Sequence, residues 1–168
     1  MGGMKRYFEE GFVYFVTTVT KERKEIFRDR KLCRILLITL EYLKTIFDYQ
    51  IYGFCIMPDH LHLIIRPSKE FDLSFVMKMV KGGFARKINR IKKQKGSLWQ
   101  ARYYEEVVRD ENQLWRQVEY IHQNPVTAGM VVSPSEYGFS SFGQYHGISN
   151  SEGRVLEIDS IYEDVAQA

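Results

Sequence analysis

Met57-Pro58-Asp59-His60-Leu61-His62-Leu63-Ile64-Ile65 decides how this 168-residue chain is read. On a strand, successive side chains alternate faces at about 3.3 Å per residue, so His60 and His62 leave one face about 6.6 Å apart at the backbone. Two imidazoles so placed can converge on one ion. Leu61, Leu63 and Ile65 then face the other side, and Ile64 continues the histidine face toward a more apolar end. Pro58 presets φ and Asp59 bonds to nearby backbone, so the pair reads as a turn just before the strand. The same spacing also suits a solvent-facing edge or a packed ring satisfied by a carbonyl, and the rest of the chain has to discriminate.

Working outward, Gln50 to Met57 reads as a strand joined to the histidine strand in a hairpin. Phe12 to Val19 is rich in β-branched and aromatic residues and predicts a central strand buried on much of both faces. Asp29 is placed to cap a helix of about five turns in which Leu32, Ile35, Leu36, Leu40, Leu43 and Phe47 recur at three- and four-residue steps. Asp72 is placed to cap a second helix, striped by Leu73, Val76, Met77, Val80, Phe84, Ile88 and Ile91. Gly82-Gly83 in its middle costs roughly 1 kcal/mol per glycine relative to alanine, which predicts a kink, a break or a close approach to phosphate.

Tyr103 to Arg109 reads as a fourth strand. A third helix starts at Asp110 or Asn112, runs through Leu114, Trp115, Val118 and Ile121, and is expected to end near Asn124, because the residue before Pro125 is disfavoured in the helical region. The order β-α-β-β-α-β-α predicts an α+β fold. It is the ferredoxin-like split βαβ on a mostly antiparallel sheet, covered by helices on one side, with an added C-terminal helix carrying Tyr120. Tyr137, Phe139, Phe142 and Tyr145 are expected to pack back on the domain.

The length suits one domain, with residues 1–146 as the folded unit and 147–168 as an acidic tail. No apolar run reaches the roughly 18 residues of a membrane span, and Met1-Gly2-Gly3-Met4-Lys5-Arg6 lacks the apolar core of a signal peptide, so a cytoplasmic location is expected. Cys33 and Cys55 lack a CxxC spacing and read as small buried hydrophobes. The net charge of +3 is uneven. From Leu73 to Tyr104 there is no acid, while Lys78, Lys81, Arg86, Lys87, Arg90, Lys92, Lys93, Lys95 and Arg102 supply nine positive charges. Such a stripe suits phosphate backbones, with Lys78, Lys81, Arg86, Lys87 and Arg90 as candidate nucleic-acid contacts. Residues 147–168 carry five acids against Arg154 alone and should avoid nucleic acid.

Tyr120 and Asn124, four residues apart, share a face of the third helix. Beside a metal, Tyr120 would suggest a nucleophile, since a phenol near pKa 10 attacks poorly unless a cation favours its anion. The segment Gly53 to Ile64 around His60 and His62 resembles the histidine-hydrophobic-histidine motif of the HUH single-tyrosine transposases. Trp99 to Tyr104, Arg109-Asp110-Glu111, and above all Tyr120-Ile121-His122-Gln123-Asn124-Pro125-Val126-Thr127-Ala128-Gly129-Met130-Val131 resemble the family's later blocks. Ser140-Ser141 resembles its closing block. The likeness runs from about Tyr7 to Phe142 and is nearest to the REP-associated tyrosine transposases.

The resemblance implies the ferredoxin-like fold and a divalent ion, Mg²⁺ or Mn²⁺, on His60, His62 and a third ligand four residues after the nucleophile Tyr120. That position is Asn124 where the insertion-sequence branch usually has glutamine, which leaves His122 or Gln123 as substitutes. The implied activity is cutting and rejoining single-stranded DNA beside hairpin or palindromic elements through a 5′-phosphotyrosine intermediate, by a monomer or a homodimer. A non-cleaving hairpin DNA or RNA-binding module of the same fold is the alternative. A water-using metal hydrolase is a third reading, disfavoured because no carboxylate is placed as a base.

Overall fold

The computed structural model describes residues 11–148 and 152–160. Four strands form one sheet in the order β2-β3-β1-β4: β1 (Val13–Val19), β2 (Gln50–Met57), β3 (His60–Arg66) and β4 (Tyr104–Val108). Every neighbouring pair is antiparallel. The helices are α1 (Arg30–Phe47), α2 (Leu73–Lys92), α3 (Glu111–Thr127) and the short α4 (Phe142–Tyr145). This is the ferredoxin-like arrangement the sequence predicts, with β1 inside the sheet between β3 and β4.

Three helix starts are set by aspartates that satisfy otherwise orphaned amides. Asp29 accepts from the Lys31 N–H at 2.9 Å, Asp72 from that of Phe75 at 2.8 Å, and Asp110 from that of Gln113 at 2.7 Å. Met57 and His60 pair directly across Pro58-Asp59, so the hairpin turn has two residues. Alternation then divides β3. Leu61, Leu63 and Ile65 enter a core with Leu36 and Leu40 of α1 and Val76, Val80 and Phe84 of α2. Ile64 enters a second core with Phe15, Cys55, and Leu114, Val118 and Ile121 of α3. Helices therefore lie on both faces, and the expectation of a one-sided cover holds for α1 and α2 only.

Three further expectations are corrected. Gly82-Gly83 neither kinks nor breaks α2, which runs unbroken for 20 residues. Side chains from 73 to 88 bind the helix to the sheet, and a Cβ on Gly83 would sit 3.8 Å from Thr39 and 3.9 Å from Leu43, so this glycine faces α1. Ile91, read as part of the apolar stripe, is 59% exposed. The third helix does not stop at Asn124 but continues through Pro125 to Thr127. The buried proline ring belongs to the packed face, and the Ala128 and Met130 amides close the turn on the Asn124 and Pro125 carbonyls, each at 2.9 Å. Gly129, at φ +72°, then ends it.

The segment after α3 binds the free edge of β2. The Ile56 amide donates to the Phe139 carbonyl and the Ser141 amide to that of Phe54, both at 2.9 Å, and the Tyr137 and Tyr145 hydroxyls reach the Ile56 and Tyr52 carbonyls. The expected packing of these aromatics is thus observed. Residues 152–159 follow α1: Glu152 pairs with Arg30 and Arg34, Leu156 is fully buried, and Asp159 pairs with Lys44 at 2.9 Å. The acids Glu163 and Asp164 lie outside the described residues. Cys33 and Cys55 are buried free thiols. Among the described residues no helix is long and apolar enough to cross a membrane.

His122 fastens α3 to this segment. Its Nε2 lies 2.8 Å from the Ser141 hydroxyl, which accepts from the Phe54 amide at 3.0 Å. Burial, and then the charge of His146, push the imidazole from 6.5 down to about 4. Because the folded pKa is depressed, the unfolded chain takes up the proton first as pH falls. The stability lost between pH 6.5 and pH 4 at this one group is about 3 kcal/mol. Urea unfolding at stepped pH should show that decline, and His122→Gln should make it shallower; an equally steep decline in the variant would refute the assignment.

Candidate active site

The register of β1 against β3 sets the centre of the site, with Thr17 opposite His62 and Val19 opposite His60. His60 and His62 leave the same face, and their Nε2 atoms converge to 3.1 Å with the rings 80° apart. Each Nδ1 is occupied from behind. That of His60 meets Asp59 Oδ1 at 2.6 Å, and that of His62 meets the Thr17 hydroxyl at 2.8 Å. Asp59 Oδ2 in turn accepts from Arg23 at 3.0 Å. Burial works against ionising Asp59, but the hydrogen bonds from His60 and Arg23 outweigh it and hold its carboxyl below the usual range. Burial, then the charge of His60, lower the His62 imidazole to about 3, so it is neutral at ordinary pH.

Such surroundings suit ligand histidines, in which an oxygen behind each ring fixes its orientation and leaves the far nitrogen to bind. Adjacent ligands of an octahedral ion at about 2.1 Å stand about 3 Å apart, which the Nε2 pair matches. Among the described residues no three His, Cys, Asp or Glu side chains gather as a metal cluster. Asn124 lines the same pocket and supplies an amide oxygen. Two imidazoles and an amide fit a divalent ion. His122 does not reach it, being buried against Phe142 and Tyr145 and bonded to Ser141. Gln123 is exposed and does not line the pocket.

Tyr120 stands one helical turn before Asn124, 53% exposed, with its ring 5.7 Å from that of His62 in the same chain. Phe15, stacked on His62 at 5.5 Å, also touches the Tyr120 ring edge-on at 6.0 Å. Tyr103 and Tyr104 line the pocket as well. Burial, with Glu105 next, raises the Tyr103 phenol, and the hydrogen bond to Glu106, followed by that carboxylate's charge, raises Tyr104. Both are held further from the phenolate that attack requires.

The cations at the pocket are not the five read from the stripe. Lys78, Arg86, Lys87 and Arg90 are exposed on α2, which packs on the sheet face opposite the histidines. Lys81 is drawn inward, its ammonium donating to the Gln100 carbonyl at 2.8 Å and lying 5.5 Å from the Tyr103 ring centre. Burial lowers its pKa. Arg23 and Arg102 line the pocket instead. Arg102 belongs to the basic stripe, whereas Arg23 lies in a charged loop with nothing local to mark it. Glu22 and Arg23 both take left-handed backbone, at φ 57° and 51°, and a turn with two such non-glycine residues stores strain of the kind found at functional sites. Thr20 holds the turn, its hydroxyl 2.7 Å from the Lys24 carbonyl and 3.0 Å from that of Asp59.

Residues 10–124 match the family model described as transposase IS200 like. A Haemophilus influenzae protein, provisionally named a REP-associated tyrosine transposase, is 27% identical over 84% of this chain and 86% of its own. The Escherichia coli REP-associated tyrosine transposase is 26% identical over 84% and 83%. A solved REP-associated tyrosine transposase bound to a REP hairpin shares the fold, with a TM-score of 0.68 at 22% identity over 91% of this chain and 88% of that one. With more than half its length matched by that model, the chain belongs to the IS200-like family of DNA transposases.

Proposed function

We propose that this protein cuts and rejoins single-stranded DNA beside hairpin elements, using Tyr120 as nucleophile, as a REP-associated type of IS200-like transposase. The observation that carries the reading is the Tyr120 ring 5.7 Å from His62, beside a converging Nε2 pair, within one chain. The relatives named REP-associated tyrosine transposases, one of them bound to a REP hairpin, support the choice of DNA. In this reading one chain supplies every site residue, so a monomer suffices.

In the proposed step the Tyr120 hydroxyl attacks the scissile phosphorus. The new bond joins its oxygen to phosphorus and the bond to the 3′ oxygen breaks, leaving a 5′-phosphotyrosine and a free 3′-hydroxyl that takes a proton as the phenol loses one. Another 3′-hydroxyl reverses the step and rejoins the strand without ATP. A bound divalent ion, Mg²⁺ or Mn²⁺, would be held by His60, His62 and Asn124 and would supply Lewis-acid withdrawal of charge from a phosphate oxygen. Asp59 and Thr17 keep the imidazoles in register. Arg23 and Arg102 neutralise backbone charge at the pocket mouth, and α3 holds the phenol in line.

Of the candidate backbone contacts Lys78, Lys81, Arg86, Lys87 and Arg90, this proposal gives the role to those exposed near the end of α2. That helix ends at Lys92, and the chain then passes Lys95 and Trp99, which bridges Thr20, to reach Arg102.

Two experiments test the reading. Incubating the protein with a labelled hairpin oligonucleotide and Mn²⁺ should give a covalent adduct on a denaturing gel. Tyr120→Phe should abolish it, and His60→Ala or His62→Ala should reduce it roughly 100-fold or more. Tight binding without adduct in the unaltered protein would instead favour the non-cleaving module. In the second experiment, Arg23→Ala and Arg102→Ala should each lower the slope of log affinity against log salt by about one. Unchanged slopes in both would remove these arginines from the DNA path.

A further inference from the structure

Four aromatic side chains between 99 and 115 could in principle stack on an unpaired base, and three of them are committed elsewhere. Trp99 is 4% exposed and lies 5.6 Å from both Phe27 and Phe84. Trp115 packs against Tyr145 at 5.8 Å. The Lys81 ammonium lies over the Tyr103 ring. Tyr104 remains, 57% exposed although it sits on a strand and lines the pocket beside the histidines.

Its ring is fixed without being covered. The backbone pairs with Thr17, the residue that supports His62, and the hydroxyl donates to Glu106 at 3.1 Å. Phe15 meets the ring in a T-shaped contact at 6.4 Å and 72°, and more than half of the Tyr104 surface stays exposed. Phe15 touches Tyr120 in the same manner at 6.0 Å, so the Tyr104 and Tyr120 rings are within roughly 12 Å of one another by the two distances. That is a reach of about two nucleotides of extended single strand. The cations Arg23 and Arg102, which line the same pocket, suit a phosphate backbone.

We infer that Tyr104 is a stacking platform for one unpaired nucleobase within two nucleotides of the scissile phosphate, and so fixes which linkage reaches Tyr120. The inference rests on the proposed reading of the pocket as a single-stranded DNA site. The contact uses the π face of the base, so it is tolerant of base identity and insensitive to salt, unlike the arginine contacts.

The test uses the full chain carrying Tyr120→Phe, with hairpin oligonucleotides bearing a six-nucleotide single-stranded flank in which 2-aminopurine replaces each base in turn. Fluorescence should be quenched on binding at one flank position. Adding Tyr104→Leu should remove that quenching and weaken binding roughly 5- to 150-fold at every salt concentration, while Tyr104→Phe retains both. Quenching that survives Tyr104→Leu, or is lost equally in Tyr104→Phe, overturns the assignment. With Tyr120 restored, adduct formation without Tyr104-dependent quenching removes the platform alone. Tyr104-dependent quenching without any adduct removes the cleavage chemistry and leaves the platform standing.

Discussion

Two imidazole nitrogens held 3.1 Å apart impose a condition on everything around them. The Asp59 carboxylate can only accept, so His60 carries a hydrogen on Nδ1, and its Nε2 faces that of His62. His62, depressed by burial, does not relieve the crowding by taking on a second proton. Either it presents an Nε2–H to its neighbour, with Thr17 donating to Nδ1, or a cation lies between the rings and Thr17 accepts. A hydroxyl does both by rotating. The framework of Asp59, Thr17 and the β1–β3 register therefore serves the site with or without an ion, and the rest of the molecule keeps that register.

The sheet divides the work. On one face, α1 and α2 bury Leu36, Leu40, Val80 and Phe84 against Leu61, Leu63 and Ile65. On the other, α3 covers the far part with Leu114, Val118 and Ile121 and leaves the histidine end to the pocket. One helix thus inserts its apolar positions under the sheet and carries Tyr120 and Asn124 on the side turned to the opening. Phe15 belongs to both worlds, lying in this smaller core while bracing His62, Tyr104 and Tyr120.

What the residues declared in advance was local. The histidine strand, the two-residue turn and the caps at Asp29, Asp72 and Asp110 each depend on residues within a few positions, and all were legible. The misread features depend on distant partners. Gly83 faces Thr39 and Leu43 of α1 inside an unbroken helix, and α3 passes Pro125 with that ring buried. Lys81 turns inward to carbonyls 19 and 20 positions away, and Arg23 reaches an aspartate 36 positions away. A count of positive charge along α2 marks an affinity for phosphate but not the face on which that charge ends up. The resemblance named Tyr120, His60, His62 and Asn124, and the fold brings all four to one pocket, whereas Arg23 needed coordinates.

A sheet with two margins must keep both from recruiting foreign strands, and this chain does so by different means. The β2 margin is occupied by its own later residues, with Phe139, Ser141 and Asp159 taking up backbone groups at Ile56, Phe54 and Ile51. The β4 margin is only five residues long and carries Glu105 and Glu106, exposed one on each face. Neighbouring carboxylates on a short ribbon make stacking against an identical copy costly. The molecule can therefore leave one border of its sheet bare without inviting self-aggregation.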